Sequence, residues 1–84
     1  MALERTDSGR GPRADYPQIG ERLRERRHEL GLSQEELADR ADLHRTYISS
    51  LEQGRRNVAV RNLVRLAEAL DFDPAELVRG LRSY

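Results

Sequence analysis

Between His44 and Asn57 the chain concentrates side chains that recognise rather than catalyse: His44, Arg45, Thr46, Tyr47, Ser49, Ser50, Gln53, Arg55, Arg56 and Asn57. Arginine offers a planar fork of N–H donors that pairs bidentately with guanine or phosphate. Serine and threonine hydroxyls add short bonds to base edges or phosphates, and threonine adds a methyl for thymine. From His44 to Arg61 the charges are Arg45, Arg55, Arg56 and Arg61 against Glu52 alone. No nucleophile–base constellation and no glycine-rich phosphate loop accompanies them, so catalysis is not expected. His28 and His44 lack ligand spacing and fall on different helices, so neither a metal nor a cofactor is expected.

The elements that must position this set are helices. Ser33-Gln34-Glu35-Glu36 is a capping box, in which the serine and the glutamate three residues on satisfy each other's backbone amides. It opens a helix whose inward face is Leu37, Ala38 and Ala41. Asp42-Leu43 forms a turn, and a further helix runs from about His44 to Gln53, ending at Gly54. Ile48 and Leu51 point inward there, which leaves Arg45, Thr46, Ser49, Ser50 and Gln53 outward. Two short helices about a turn apart, the second polar on its outer face, form the layout of a helix-turn-helix. A first helix is expected from about Pro17 to Leu30, with Ile19, Leu23 and Leu30 on one face and Gly31 as its stop. A fourth covers about Val60 to Leu70 on the stripe Leu63, Leu66, Ala67 and Leu70, weakly capped by Ala59. A fifth opens at Asp73-Pro74-Ala75-Glu76 as a second capping box and carries Leu77, Val78 and Leu81. The fold class is therefore all-α, a compact five-helix domain with its helix-turn-helix at the second and third helices.

Composition bounds the rest. With 84 residues, 37% apolar and 36% charged, the chain supports one small domain with a thin core. Formal net charge is zero, because acidic residues elsewhere balance the basic stretch. All fifteen basic residues are arginine, a bias that a high-GC coding sequence also produces. No cysteine is present, which excludes disulfides and thiolate metal sites. No apolar run approaches the roughly 20 residues needed to span a bilayer, and no secretory segment is seen at the N-terminus. A cytoplasmic protein with no membrane partner is expected. Residues 1–16 read as a flexible N-terminal arm, in which Glu4, Asp7 and Asp15 offset Arg5, Arg10 and Arg13. Residues 17–84 read as the folded domain.

From about residue 18 to 80 the chain resembles the DNA-binding domain of phage Cro and repressor proteins and of the Xre family of bacterial regulators. Leu32 to Ala38 carries that family's second-helix pattern. Ile48-Ser49, Leu51-Glu52 and Gly54 carry its third helix and stop, and Leu66-Ala67 with Ala69-Leu70 its fourth. Asp42 departs from the usual glycine, at a modest expected cost in stability. Leu43 to Ser49, with Glu52 and Arg56-Asn57, is similar to the controller proteins of restriction–modification systems. That resemblance implies a small homodimer that binds palindromic double-stranded DNA beside its own promoter and first activates, then represses, transcription.

Arg45, Thr46, Tyr47, Ser49 and Ser50 are the candidate base readers. Gln34, His44, Arg55, Arg56 and Asn57 are the candidate phosphate contacts. The resemblance also implies a structural salt bridge between Arg27 and Glu52. Dimerisation is expected through Phe72, Leu77, Leu81 and Tyr84, whose apolar surface exceeds what one thin core needs, with Leu77 the first of them to close the monomer core instead if any does. No small-molecule effector is expected, since little length remains for a sensor. The alternative function is an antitoxin-type protein that binds a partner toxin and its own promoter.

Overall fold

A computed structural model describes residues 15–81 of the chain, with side chains from residue 17 onward. Five helices follow in order: α1 (Asp15–Glu29), α2 (Gln34–Ala41), α3 (Arg45–Glu52), α4 (Val60–Ala69) and α5 (Ala75–Val78). Among the described residues there is no strand. The expected N-terminal arm and Tyr84 fall on residues outside this range.

α1 starts two residues earlier than the sequence suggests, with Pro17 in its first turn. Proline is accommodated there because the amide it lacks would have no intrahelical acceptor. The inward stripe of α1 is Ile19, Leu23 and Arg27, each four residues from the last, and not the expected stripe through Leu30. Leu30 is 38% exposed, because the chain reverses at Gly31 and sends Leu32 into the core in its place. The core gathers Leu23, Leu32, Leu37, Ile48, Leu51, Leu66, Leu70 and Leu77, with Leu43, Tyr47, Val58, Leu63 and Phe72 packed against it. α1 packs on α3 and α5, while α2 packs on α3 and α4.

α2 opens with the capping box that the sequence encodes. Ser33 Oγ accepts the Glu36 amide at 3.0 Å, and Glu36 Oε1 accepts the Ser33 amide at 2.8 Å. These bonds from Ser33 hold the Glu36 carboxyl below the usual carboxylate range. The second expected box is only half made. Asp73 Oδ1 accepts the Ala75 amide at 2.9 Å, but Glu76 turns to Arg79 instead, at 2.8 Å. α5 is a single turn, since Arg79 is extended and Gly80 takes a left-handed φ of 71°.

α2 ends at Asp42 with φ 57° and ψ 48°, while the Leu43 amide bonds the Ala38 carbonyl at 2.9 Å. α4 ends in the same way at Asp71, φ 55°, with Phe72 bonded back to Ala67 at 3.1 Å. This is the left-handed terminus for which glycine is the low-cost residue. Asp42→Gly is therefore expected to stabilise the domain by about 0.5–1 kcal/mol. Thermal unfolding should show the gain; a lower melting temperature would instead mean that the Asp42 side chain stabilises the turn.

Candidate nucleic-acid interface

The helix pair α2–α3 presents its outer face because its inner one is fully engaged. Ile48 and Leu51 are 0% and 2% exposed, which fixes the rotation of α3 about its axis. Arg45, Thr46 and Gln53 are then exposed, while Ser49 and Ser50 are half-buried at its surface. Ser49 Oγ accepts a bond from Gln53 Nε2 at 3.3 Å. No acidic residue stands in the first turn of α3, so the positive end of its dipole and Arg45 act together. His44 occupies the N-cap position, exposed, and makes no side-chain capping bond.

After α3 the left-handed Gly54 turns the chain into Arg55, Arg56 and Asn57, all exposed. The Arg56 guanidinium lies over the ring of Tyr47, 5.3 Å from its centroid. Tyr47 is half-buried against the core, and its Oη accepts a bond from Asn62 Nδ2 on α4 at 3.1 Å. Its ring thus bridges α3, the following loop and α4.

Behind this face lies a buried polar network. Arg27 Nε donates to Glu52 Oε2 at 2.7 Å and its NH2 group to Oε1 at 2.9 Å, a bidentate pair. Its remaining NH1 group donates to the Leu32 carbonyl at 2.8 Å. Arg27 and Glu52 are 8% and 6% exposed. The bond to Glu52 raises the already high pKa of Arg27, so the guanidinium stays charged. Glu52 Oε1 also accepts from Gln34 Nε2 at 3.1 Å. Gln34, at the first position of α2, is thereby held against the end of α3, with one amide hydrogen committed to Glu52 and one left over.

Of the four residues expected at a dimer surface, Leu77 is not available. It is 0% exposed and closes the monomer core beneath α1. The reason is local: α5 is one turn long, and its inward position is Leu77. Phe72 is half-buried under the Arg26 guanidinium, 5.2 Å from its ring centroid, and Leu81 is half-buried beyond α5. Tyr84 lies outside the described residues. Among the described residues, the large apolar side chains left exposed in the C-terminal half are Val60 (76%) and Val64, one turn apart on α4, and Val78.

Sequence reasoning missed three positioning features. Gly20 on α1 is buried against the backbone of Leu51 and Glu52. Arg22 and Arg26, one turn apart on α1, donate to carbonyls of the C-terminal segments: Arg22 to Leu77 at 3.2 Å and Arg26 to Leu70 at 2.9 Å. Asn62 had no signal beyond a polar residue near the start of α4. Only the i, i+4 spacing of the two arginines was visible in advance.

Among the described residues, no helix is long and apolar enough to cross a membrane. A helix-turn-helix family model matches residues 23–77. The control protein C.BamHI of Bacillus amyloliquefaciens is 43% identical over 71% of this chain and 75% of its own length. The structure of the restriction–modification controller protein C.AhdI from Aeromonas hydrophila superposes with a TM-score of 0.74 at 50% identity, covering 76% of this chain and 97% of that one. The C.Esp1396I tetramer, solved in complex with its natural 35-base-pair operator, superposes with a TM-score of 0.70 at 28% identity, over 76% and 84%. By the family model, by identity and by fold, the chain belongs to the Xre-type helix-turn-helix family.

Proposed function

We propose that this chain is a sequence-specific, double-stranded DNA-binding transcriptional regulator of the restriction–modification controller kind, acting by binding and not by catalysis. The observation that carries this reading is the outer face of α3. Arg45 and Thr46 stand exposed at its N-terminal end, the end that points at base edges in helix-turn-helix complexes, and Ile48 and Leu51 lock its orientation from below.

Arg45, Thr46, Ser49 and Ser50 would read bases, and Arg45 can give guanine both guanidinium bonds. Gln34, His44, Arg55, Arg56 and Asn57 would hold phosphates on either side, giving affinity without sequence information. A palindromic operator requires two copies with recognition helices roughly 34 Å apart. A homodimer that draws on the exposed Val60 and Val64 of α4 and Val78 of α5, and on the half-buried Phe72 and Leu81, suits the large apolar positions left at the surface. The cytoplasm is the compartment in which such a regulator works.

The test is a binding titration against the duplex immediately upstream of the gene and against a random duplex of equal length. Arg45→Ala should cost roughly 1–3 kcal/mol on the upstream duplex and little on the random one. Equal weak binding of both duplexes by the wild-type protein would defeat the regulator reading and turn attention to a protein partner.

A further inference from the structure

Tyr47, Arg56 and Asn62 come from three successive parts of the chain and meet at one point on the interface. Asn62 Nδ2 donates to Tyr47 Oη at 3.1 Å in a partly buried contact. The phenol oxygen is therefore the acceptor in that bond, and its own proton is left to donate elsewhere. The ring that carries the hydroxyl packs on the core, so it has little freedom to swing. The Arg56 guanidinium lies over the same ring at 5.3 Å, which holds an otherwise exposed side chain in place. A cation held over a ring keeps N–H donors that the ring does not use, and these are left for an anion. Two donors, one neutral and one cationic, are thus fixed on a single ring. What they suit is an acceptor-only group with a negative charge, and a phosphate of the DNA backbone has both properties.

Resting on the DNA-binding reading above, we infer that Tyr47 and Arg56 form one phosphate clamp and that Asn62 is its positioning residue, acting through the Tyr47 hydroxyl. Tyr47 then contributes affinity in place of base selection, unlike its neighbours Arg45 and Thr46. Asn62 touches no DNA in this arrangement. It orients the phenol so that its proton points away from α4, and it ties the recognition helix to the helix that carries Val60 and Val64.

A double-mutant cycle tests this, read as affinity for the upstream duplex and for a random duplex of equal length. Tyr47→Phe keeps the ring beneath the Arg56 guanidinium, so the fold and the placement of the arginine should both be retained. It is expected to weaken binding to both duplexes by the same factor, about tenfold. Asn62→Ala should do the same, and the two together should lose no more than Tyr47→Phe alone. Arg56→Ala should lower the slope of log affinity against log salt by about 0.9 for each bound protomer, about 1.8 for a dimer, while Tyr47→Phe leaves it unchanged. Melting curves of each variant verify that folded protein is being compared. A Tyr47→Phe loss confined to the upstream duplex would overturn the clamp, since it would make the tyrosine a base reader. Additive losses would overturn the role given to Asn62. Full binding by both single variants would overturn the clamp while leaving the regulator reading intact. Wild-type protein that binds neither duplex would overturn both.

Discussion

Gly20→Ala is expected to abolish cooperative folding. A Cβ at residue 20 would overlap the carbonyl oxygen of Leu51 and stand 3.0 Å from both Cα and the carbonyl oxygen of Glu52. All three atoms are backbone, so no side-chain rotation relieves the overlap; α1 must move away from α3. That movement opens the contact in which Leu23, Ile48 and Leu51 are buried. Overpacking a core typically costs about 1–3 kcal/mol, and a clash against backbone belongs at or above the upper end. A single core of this size rarely supplies more than about 3–5 kcal/mol in total. Urea titration followed by far-ultraviolet circular dichroism should therefore show a sloping loss of helix with no sigmoid. A variant that melts within a few degrees of wild type would mean that α1 and α3 do not approach as closely as described.

The second large effect is expected from Glu52→Ala. Arg27 would keep its bond to the Leu32 carbonyl but lose both bonds to a carboxylate, and its charge would remain in a site that is 8% exposed. Removing one member of a buried ion pair costs about 3–5 kcal/mol, because the survivor is desolvated and unmatched. At roughly 4–8 °C per kcal/mol for a domain of this size, the melting temperature should fall by at least about 12 °C, and a loss at the upper end of that range leaves no cooperative melt. The paired variant Arg27→Met with Glu52→Leu removes both charges and fills the space, so most of that loss should return. It would still leave Gln34 without the carboxylate that orients it. The doubly substituted protein is thus expected to fold yet bind DNA weakly, which separates stability from positioning. Glu52→Ala melting at the wild-type temperature would sink the idea that this pair holds the motif together.

The two predictions share a physical origin. The absent side chain at Gly20 lets α1 lie against the end of α3, and two turns further along the same helix this proximity delivers Arg27 to Glu52.

Much of the fold was legible because local rules act within three or four residues. The Ser33–Glu36 box, the stop at Gly31 and the left-handed Asp42 all involve neighbours in sequence, and the apolar spacing of Leu37, Ala38 and Ala41 follows directly from the helical repeat. The same spacing located the outer face of α3, since whatever opposes Ile48 and Leu51 must point to solvent. Where local signals competed, the sequence misled. Leu30 has the spacing of a core residue but sits at the rim, because the reversal at Gly31 offers Leu32 to the same site. Leu77 is the member of the apolar C-terminal cluster that the sequence singles out to close the monomer core, and the packing of α5 on α1 decides that it does so and is lost to a dimer surface.

By itself, then, the sequence determined that this protein is a five-helix domain of the helix-turn-helix family with a polar, arginine-bearing outer face on α3. Only the tertiary structure decided how that face is held. Arg27 meets Glu52 across 25 residues, Tyr47 meets Asn62 across 15 and Arg26 meets Leu70 across 44. No periodicity or capping rule reaches so far along a chain. Such contacts arise only when helices pack, and here that packing depends on Gly20, where the backbones of α1 and α3 touch without a side chain between them.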